Sequence, residues 1–534
     1  MLKKLYTLLA IIALGTSFPA FSDMNNPMTR AVMEVYERQL QSNPSDYQTW
    51  MARANEYYRH SEYMRALNDV ENALKYIPAK ETAERVDALL LRANIYTQTG
   101  RNDQALTDLN SAIALDPQNY VAVYQRGNTY YAMGQYAQAK TDFQRLMGLN
   151  SRSTEGIVGL ARVAVKENNL GQANEYLEQA VALDPNNADI YVRRATVRRD
   201  MGNHQGAVDD LILALAVDSH NNRAINMLVE YGDVNYAAVM KGLTDATLQA
   251  PNVGMYPYIR AMIAQYHYHY KAALADYQSI IDKNLYNYQG IWRSMAECQY
   301  AMGQFNAALN NVNRALDMDP KAADAALLKA KIFRALGQYD SARIQAELAV
   351  GMMPGNVEAV NELGLANASM KDYQAAADRF AESTILTGPT VEGQYCYLLR
   401  AWMLGTYLNQ PVAASGFYNQ VYEIASEFPE VRLAAIYGAF GQLFNGKTPQ
   451  ATAMIDMVLD ANKNNPRLQY LGACFYAQAD NFDKAIECAE LSLEAGYANY
   501  YDWAYESDAR INVAPLRDDL RFLNLLQRYK HLWE

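Results

Sequence analysis

The apolar and small residues of this chain recur at fixed spacing. Trp50, Arg53-Ala54, Tyr57, Tyr63, Ala66, Ala73 and Pro78 return as Leu89, Arg92-Ala93, Tyr96, Gly100, Ala105, Leu109, Ala112 and Pro117. A third copy follows as Val123, Arg126-Gly127, Tyr130, Gly134, Tyr136, Ala139 and Phe143. Units lie about 34 residues apart, save for a short insertion near 81–85. The pattern predicts two helices per unit. Small residues at Ala54, Ala93 and Gly127 let a first helix approach a second, met by Ala66, Ala105 and Ala139, while Trp50, Tyr57 and Phe143 fill the gaps between hairpins. Gly100 or Gly134 ends the first helix, where glycine suits a left-handed cap. Asp116-Pro117 stops the second, because proline lacks the donor a continuing helix needs.

Further units begin near 154, 188, 254, 289, 323, 357, 432 and 466, with degenerate ones at 222–253 and 391–431. Together they make about thirteen repeats over 47–499. The pattern resembles the tetratricopeptide repeat, W-x2-L-G-x2-Y followed by A-x3-F, A and P. The resemblance implies an all-α, right-handed superhelical solenoid of helix hairpins with helical caps. The expected organisation is a signal peptide at 1–22, a capping helix at 23–46 and a first array at 47–221. Degenerate repeats at 222–288, a second array at 289–499 and a closing segment at 500–534 complete it. Caps hide the apolar end faces of a repeat stack.

Half of the 534 residues are hydrophobic, enough for an extensive core, and the formal charge is -11, which argues against general nucleic-acid binding. Lys3 and Lys4, the apolar run Leu5–Leu14 and Ala20-Phe21-Ser22 read as a secretory signal cleaved before Asp23, in a run too short to span a membrane. Its removal takes two lysines from 47 basic residues against 58 acids, leaving -13. No cysteine follows it for lipidation, and no later stretch is apolar enough to cross a membrane. The expected location is therefore periplasmic or secreted. Cys298, Cys396, Cys474 and Cys488 form no CxxC pair. Cys474 and Cys488 fall on the two helices of one predicted hairpin, where they are either a disulfide or two small hydrophobes.

One enzymatic motif matches by spelling. Gly441 to Thr448, GQLFNGKT, satisfies the phosphate-loop pattern, which requires a strand before it and a helix after it. The repeat register instead puts Gly441 to Asn445 in a first helix, and Pro449 would open the second. His267 and His269, two apart in YHYHYK, point to different helix faces and do not form a chelating pair. HExxH, a serine elbow and a dinucleotide loop are absent from the sequence. No catalytic residue, metal or cofactor is expected.

In tetratricopeptide superhelices the first helices line the concave face, and positions 2, 5, 6, 9, 12 and 13 of each repeat project into it. The resemblance therefore assigns Asn55, Asn94 and Asn128, all at position 9, to a ladder that holds a peptide backbone. A carboxamide both donates and accepts, so it can read an extended chain without reading its sequence. Tyr58, Tyr124 and Tyr131 flank the ladder. Arg162, Arg193 and Arg199, with Lys166, Arg194 and Arg198 nearby, form a basic cluster suited to a carboxylate or acidic segment, or else one paired with acids such as Asp200. The family's carboxylate-clamp pattern is not reproduced. Ile436, Tyr437, Phe440, Leu443 and Phe444 make an apolar stripe, either buried by tight winding or open as a groove for a partner helix. The reading is a non-catalytic envelope scaffold for an unidentified protein or peptide partner. An ATPase using Gly446-Lys447-Thr448 and a glycan-uptake accessory protein are the alternatives.

Overall fold

The computed structural model describes residues 27–285, 289–505 and 510–534, so the expected signal peptide lies outside the described residues. Among the described residues the chain is helical, with no strand. It divides into two compact units, one ending at Gly242 and one running from Leu243 to Glu534.

In the first unit the helix Pro27–Ser42 lies against Tyr47–Arg59 and buries Met33 and Leu40. Five hairpins follow, at 47–76, 82–115, 120–149, 154–183 and 188–217. Side-chain caps start several first helices: Asp46 accepts from the backbone of Gln48 and Thr49, Asn119 from Ala122 and Ser153 from Gly156. The turns between paired helices pass through a left-handed residue, glycine at Gly100 and Gly134 (φ 73° and 74°), and Asn168 where no glycine is present. Ala54, Ala66, Ala93, Ala105 and Ala139 are all buried at the helix crossings. Phe143 is fully buried; Trp50 and Tyr57, expected beside it as core fillers, are only partly covered.

The degenerate segment at 222–253 takes a distinct form. Asn222–Gln249 is one 28-residue helical stretch broken at Asn235, whose backbone leaves the helical region (φ -148°, ψ 71°). The Asn235 side chain accepts from the Ala238 amide at 3.1 Å, so it ends one helix and caps the next without a turn. The division between the compact units falls within this stretch.

The second unit stacks regular hairpins at 255–282, 305–318 with 289–301, 323–352, 357–387, 432–460 and 466–494. The degenerate repeat at 391–431 forms Gln394–Trp402, a π-helical turn at Met403–Tyr407, and Pro411–Glu427. The segment 500–534 was expected as a cap over the last hairpin. Leu520–Arg528 does so, burying Phe522 and Leu525 and pairing Arg521 with Asp483 at 2.6 Å. The stretch before it reaches much earlier repeats. Tyr501 sits on Tyr300 (4.7 Å between centroids) and Phe305, and Tyr497 on Tyr268 (4.8 Å). Trp503 is fully buried against Tyr470 and Phe522. This segment is therefore part of the core of the second unit.

Candidate functional site

The first helices of the first unit are held by a repeated ion pair. Arg53 grips Asp69 through Nε and Nη2 at 2.7 and 2.9 Å, Arg92 grips Asp108 at 2.7 and 2.7 Å, and Arg126 grips Asp142 at 2.8 and 2.6 Å. Each pair is separated by 16 positions and runs from first to second helix of one hairpin. Arg194–Asp210 and, in the second unit, Arg260–Asp276 repeat it. The carboxylates of Asp69, Asp108, Asp142 and Asp210 are buried. Two parallel N–H···O bonds fix both the distance and the rotation of one helix against the other. These hydrogen bonds hold the Arg53, Arg92 and Arg126 guanidiniums above their ordinary pKa. At 154–183 the pair is absent on both sides: Leu160 and Tyr176 stand at the corresponding positions and pack into the same core. Replacing both partners with apolar groups avoids an unpaired buried charge. Sequence reading saw the arginines as repeat markers and missed their partners, although an Asp 16 residues after each Arg was visible.

With the helices fixed, the expected ladder can be placed. Asn55 is exposed, and its Nδ2 donates to Met51 O of its own helix at 2.8 Å. Asn94 is half-buried and has no side-chain partner among the described residues. Asn128 accepts from Arg162 Nη1 of the next hairpin at 2.8 Å. Arg162 also lies over the ring of Tyr131, 4.1 Å from its centroid. The fold thus joins Asn128, Tyr131 and Arg162, which the sequence placed in separate groups. Tyr58 and Tyr131 lean on Tyr63 and Tyr136 (5.8 and 5.6 Å), and Tyr124 packs against the core.

The remaining arginines are engaged. Arg193 bonds Asp189 at 2.6 Å, and Asp189 also receives Arg223 at 3.2 Å. Arg198 spans Glu178 and Asp210, and Arg199 bonds its neighbour Asp200 at 3.1 Å. Arg199 further lines a cavity of about 290 Å³ with Tyr231, Glu230 and Met227.

In the second unit the first helices are tied to one another by ion pairs: Arg293 to Asp324 at 3.0 Å, Lys331 to Glu358 at 2.5 Å and Arg334 to Glu362 at 2.8 Å. The apolar stripe resolves toward burial. Ile436 and Phe440 are fully buried, Phe440 between Phe444 and Phe475, so these two are core residues and not groove wall. Tyr437, Leu443 and Phe444 are half-buried, Phe444 beneath the guanidinium of Arg510 at 4.8 Å. The phosphate-loop spelling lies in the helix Arg432–Phe444, a turn at Gly446 and the helix Thr448–Asp460. Lacking the preceding strand, its amides do not form a phosphate cradle. His267 and His269 flank the left-handed Tyr268, and burial, with His269 beside it, lowers the His267 pKa to about 4. No group of metal ligands occurs among the described residues, and no helix there is long and apolar enough to cross a membrane. The four cysteines are buried free thiols, Cys474 and Cys488 included.

Two repeat families match, one described as TPR repeat at 93–145 and one as tetratricopeptide repeat at 158–223 and 293–356. The DnaJ homolog subfamily C member 7 homolog of Schizosaccharomyces pombe is 28% identical over 192 residues, which span 35% of this chain and 35% of that protein. Among solved structures, YrrB, a TPR protein with an unusual peptide-binding site, is 20% identical (TM-score 0.28), covering 36% of this chain and 96% of its own. PilW, a type IV pilus biogenesis factor, is 20% identical (TM-score 0.33), covering 37% of this chain and 90% of its own. These likenesses are to the repeat fold.

Proposed function

We propose that this chain, a tetratricopeptide-repeat protein, is a non-catalytic scaffold that holds an extended segment of a partner protein on the first-helix face of its first unit. The observation that carries this is the hydrogen-bonding state of three carboxamides at one register position. Asn94 is unpartnered among the described residues, the Asn55 oxygen is left over after its bond to Met51, and Asn128 keeps its amino group while Arg162 occupies its oxygen. Donors and acceptors therefore remain along a face whose helices are already locked by buried arginine–aspartate pairs, so little order is lost when a chain docks. The second unit differs, because its first helices pair their charges with one another, and Tyr300 of one of them is covered by Tyr501 of the C-terminal segment. The N-terminal Lys3-Lys4, apolar run and Ala20-Phe21-Ser22 support a periplasmic or secreted location, with an assembly or secretion role.

The test is affinity capture from envelope extract with protein starting at Asp23, alongside the Asn55→Ala, Asn94→Ala, Asn128→Ala triple variant. Enrichment of a partner that is lost in the variant at unchanged helicity supports the face as the site. A partner retained by the variant refutes the ladder.

A further inference from the structure

The rung that follows Asn128 at the same register position is not a carboxamide. Arg162 stands 34 residues on, one repeat later, where Asn55, Asn94 and Asn128 stand in the three preceding hairpins. Its guanidinium donates from Nη1 to Asn128 Oδ1 at 2.8 Å and lies over the Tyr131 ring, 4.1 Å from the centroid. That bond satisfies one N–H, but a carboxamide carries no charge and leaves the cation uncompensated. The ring adds attraction from below without neutralising it.

The basic residues that follow Arg162 in sequence differ in this respect. Arg193 pairs with Asp189, Arg194 with Asp210, Arg198 with Glu178 and Asp210, and Arg199 with Asp200. Arg162 is half-buried and has no carboxylate partner among the described residues. The acids nearest it in sequence are already taken: Glu155, two turns earlier, accepts from Tyr120 Oη at 2.8 Å, and Glu167 pairs with Lys140 at 3.4 Å. Lys166, one turn later on the same helix face, is exposed and likewise has no carboxylate partner among the described residues. Arg53, Arg92 and Arg126 each grip an aspartate through Nε and Nη2; the same edge of Arg162 is bonded to nothing among the described residues. That fork matches a carboxylate, a group that only accepts, and the amino group of Asn128 adds a donor.

Resting on the reading of this face as the docking face, we infer that the bound segment carries an aspartate or glutamate whose side-chain carboxylate is taken by the Nε–Nη2 edge of Arg162. A side chain is assigned, and not a free C-terminus, because the family's carboxylate-clamp pattern is not reproduced in the sequence.

Selection from a displayed library of random peptides on the protein from Asp23 tests it. The enriched peptides are expected to share an acid at one fixed position. Against one of them, synthesised with both ends blocked, Arg162→Gln should raise Kd about tenfold or more, the scale of one lost charge-assisted bond. Exchanging the acid for its amide should do the same in the wild type and nothing further in the variant. Glutamine keeps a donor for Asn128, so helicity and Tm should not move. Asn55→Ala with Asn94→Ala leaves Arg162 in place and should weaken the acidic and amide peptides alike. Enrichment without an acidic position, or an acid preference that survives Arg162→Gln, overturns the carboxylate assignment and leaves the docking face standing. Affinity that is lost on blocking the C-terminus assigns a terminal carboxylate and overturns it too. Peptides that need Arg162 but ignore both asparagines uphold the assignment and refute the ladder. No enriched peptide overturns both.

Discussion

A clash can be placed in the first unit with one methyl group. Phe143, fully buried, fits between Gly127 of its own hairpin and Gly159 of the next. A β-carbon at Gly159 would lie 2.5 Å from Cγ and Cδ1 of that ring, and one at Gly127 would lie 2.9 Å from Cε1. Cγ is the root of the ring, so a small rotation does not relieve the contact. Gly159→Ala should therefore cost about 1–3 kcal/mol by overpacking, against about 1 kcal/mol gained from helix propensity. The net is a loss of up to about 2 kcal/mol. Phe143→Ala alone should cost about 3–5 kcal/mol. In that background the clash is gone, so Gly159→Ala should stabilise by about 1 kcal/mol from propensity, with some further gain from filling the hole. The sign of the same substitution reverses. Urea unfolding gives the four corners of the cycle, and amide exchange in Thr154–Lys166 localises the effect, which matters because repeat arrays unfold in parts. Gly159→Ala also shifts the helix that carries Arg162, so it should loosen the Arg162–Asn128 bond. Stabilisation by Gly159→Ala in the wild type, or zero coupling across the cycle, would refute the glycine–phenylalanine account of hairpin spacing.

Four more outcomes are expected. Asp108→Ala strands the Arg92 guanidinium and should cost about 3 kcal/mol in urea unfolding, whereas Arg92→Leu with Asp108→Tyr, copying Leu160 and Tyr176, should recover much of it; equal losses in both would sink the paired-replacement argument. His267 is held neutral in the fold down to about pH 4, while in the unfolded chain it protonates near 6.5. Protons are thus bound preferentially by the unfolded state in that window, so melting temperature should fall as pH drops from about 6.5 to 4, and His267→Gln should flatten the slope. Trp503→Ala removes a fully buried ring and its Nε1 bond to Tyr497 O at 3.2 Å. It should cost about 3–5 kcal/mol and make the chain after 496 protease-sensitive, and a resistant C-terminus would contradict its core role. Burial pushes the Cys488 thiol up to about 12, and all four cysteines are covered, so a thiol reagent should label none in the native protein and four after denaturation; two in the denatured chain would indicate a Cys474–Cys488 disulfide.

The repeat, its helix pairs and most turns were legible in the sequence because a 34-residue period concerns contacts inside a hairpin or with its neighbours. Ala54 against Ala66, or Gly100 at a turn, answers to local geometry that the pattern states directly. The asparagines could likewise be assigned to one register position, since register alone sets where on a helix a residue stands. What spacing could not state is who occupies that position's space. Whether Arg162 serves the basic cluster or bonds Asn128 depends on the rise from one hairpin to the next, which Phe143 and Gly159 set by contact. Whether Phe440 is groove or core depends on Phe475 arriving from the following repeat. The far-reaching decision concerns the C-terminal segment: 500–534 reads as a cap, yet its Tyr501, and Tyr497 just ahead of it, meet Tyr300 and Tyr268 some two hundred residues earlier. A repeat pattern encodes nearest neighbours, and the curvature that brings distant repeats of one unit to the same aromatic cluster accumulates from many small packing angles. That curvature belongs to the tertiary structure alone.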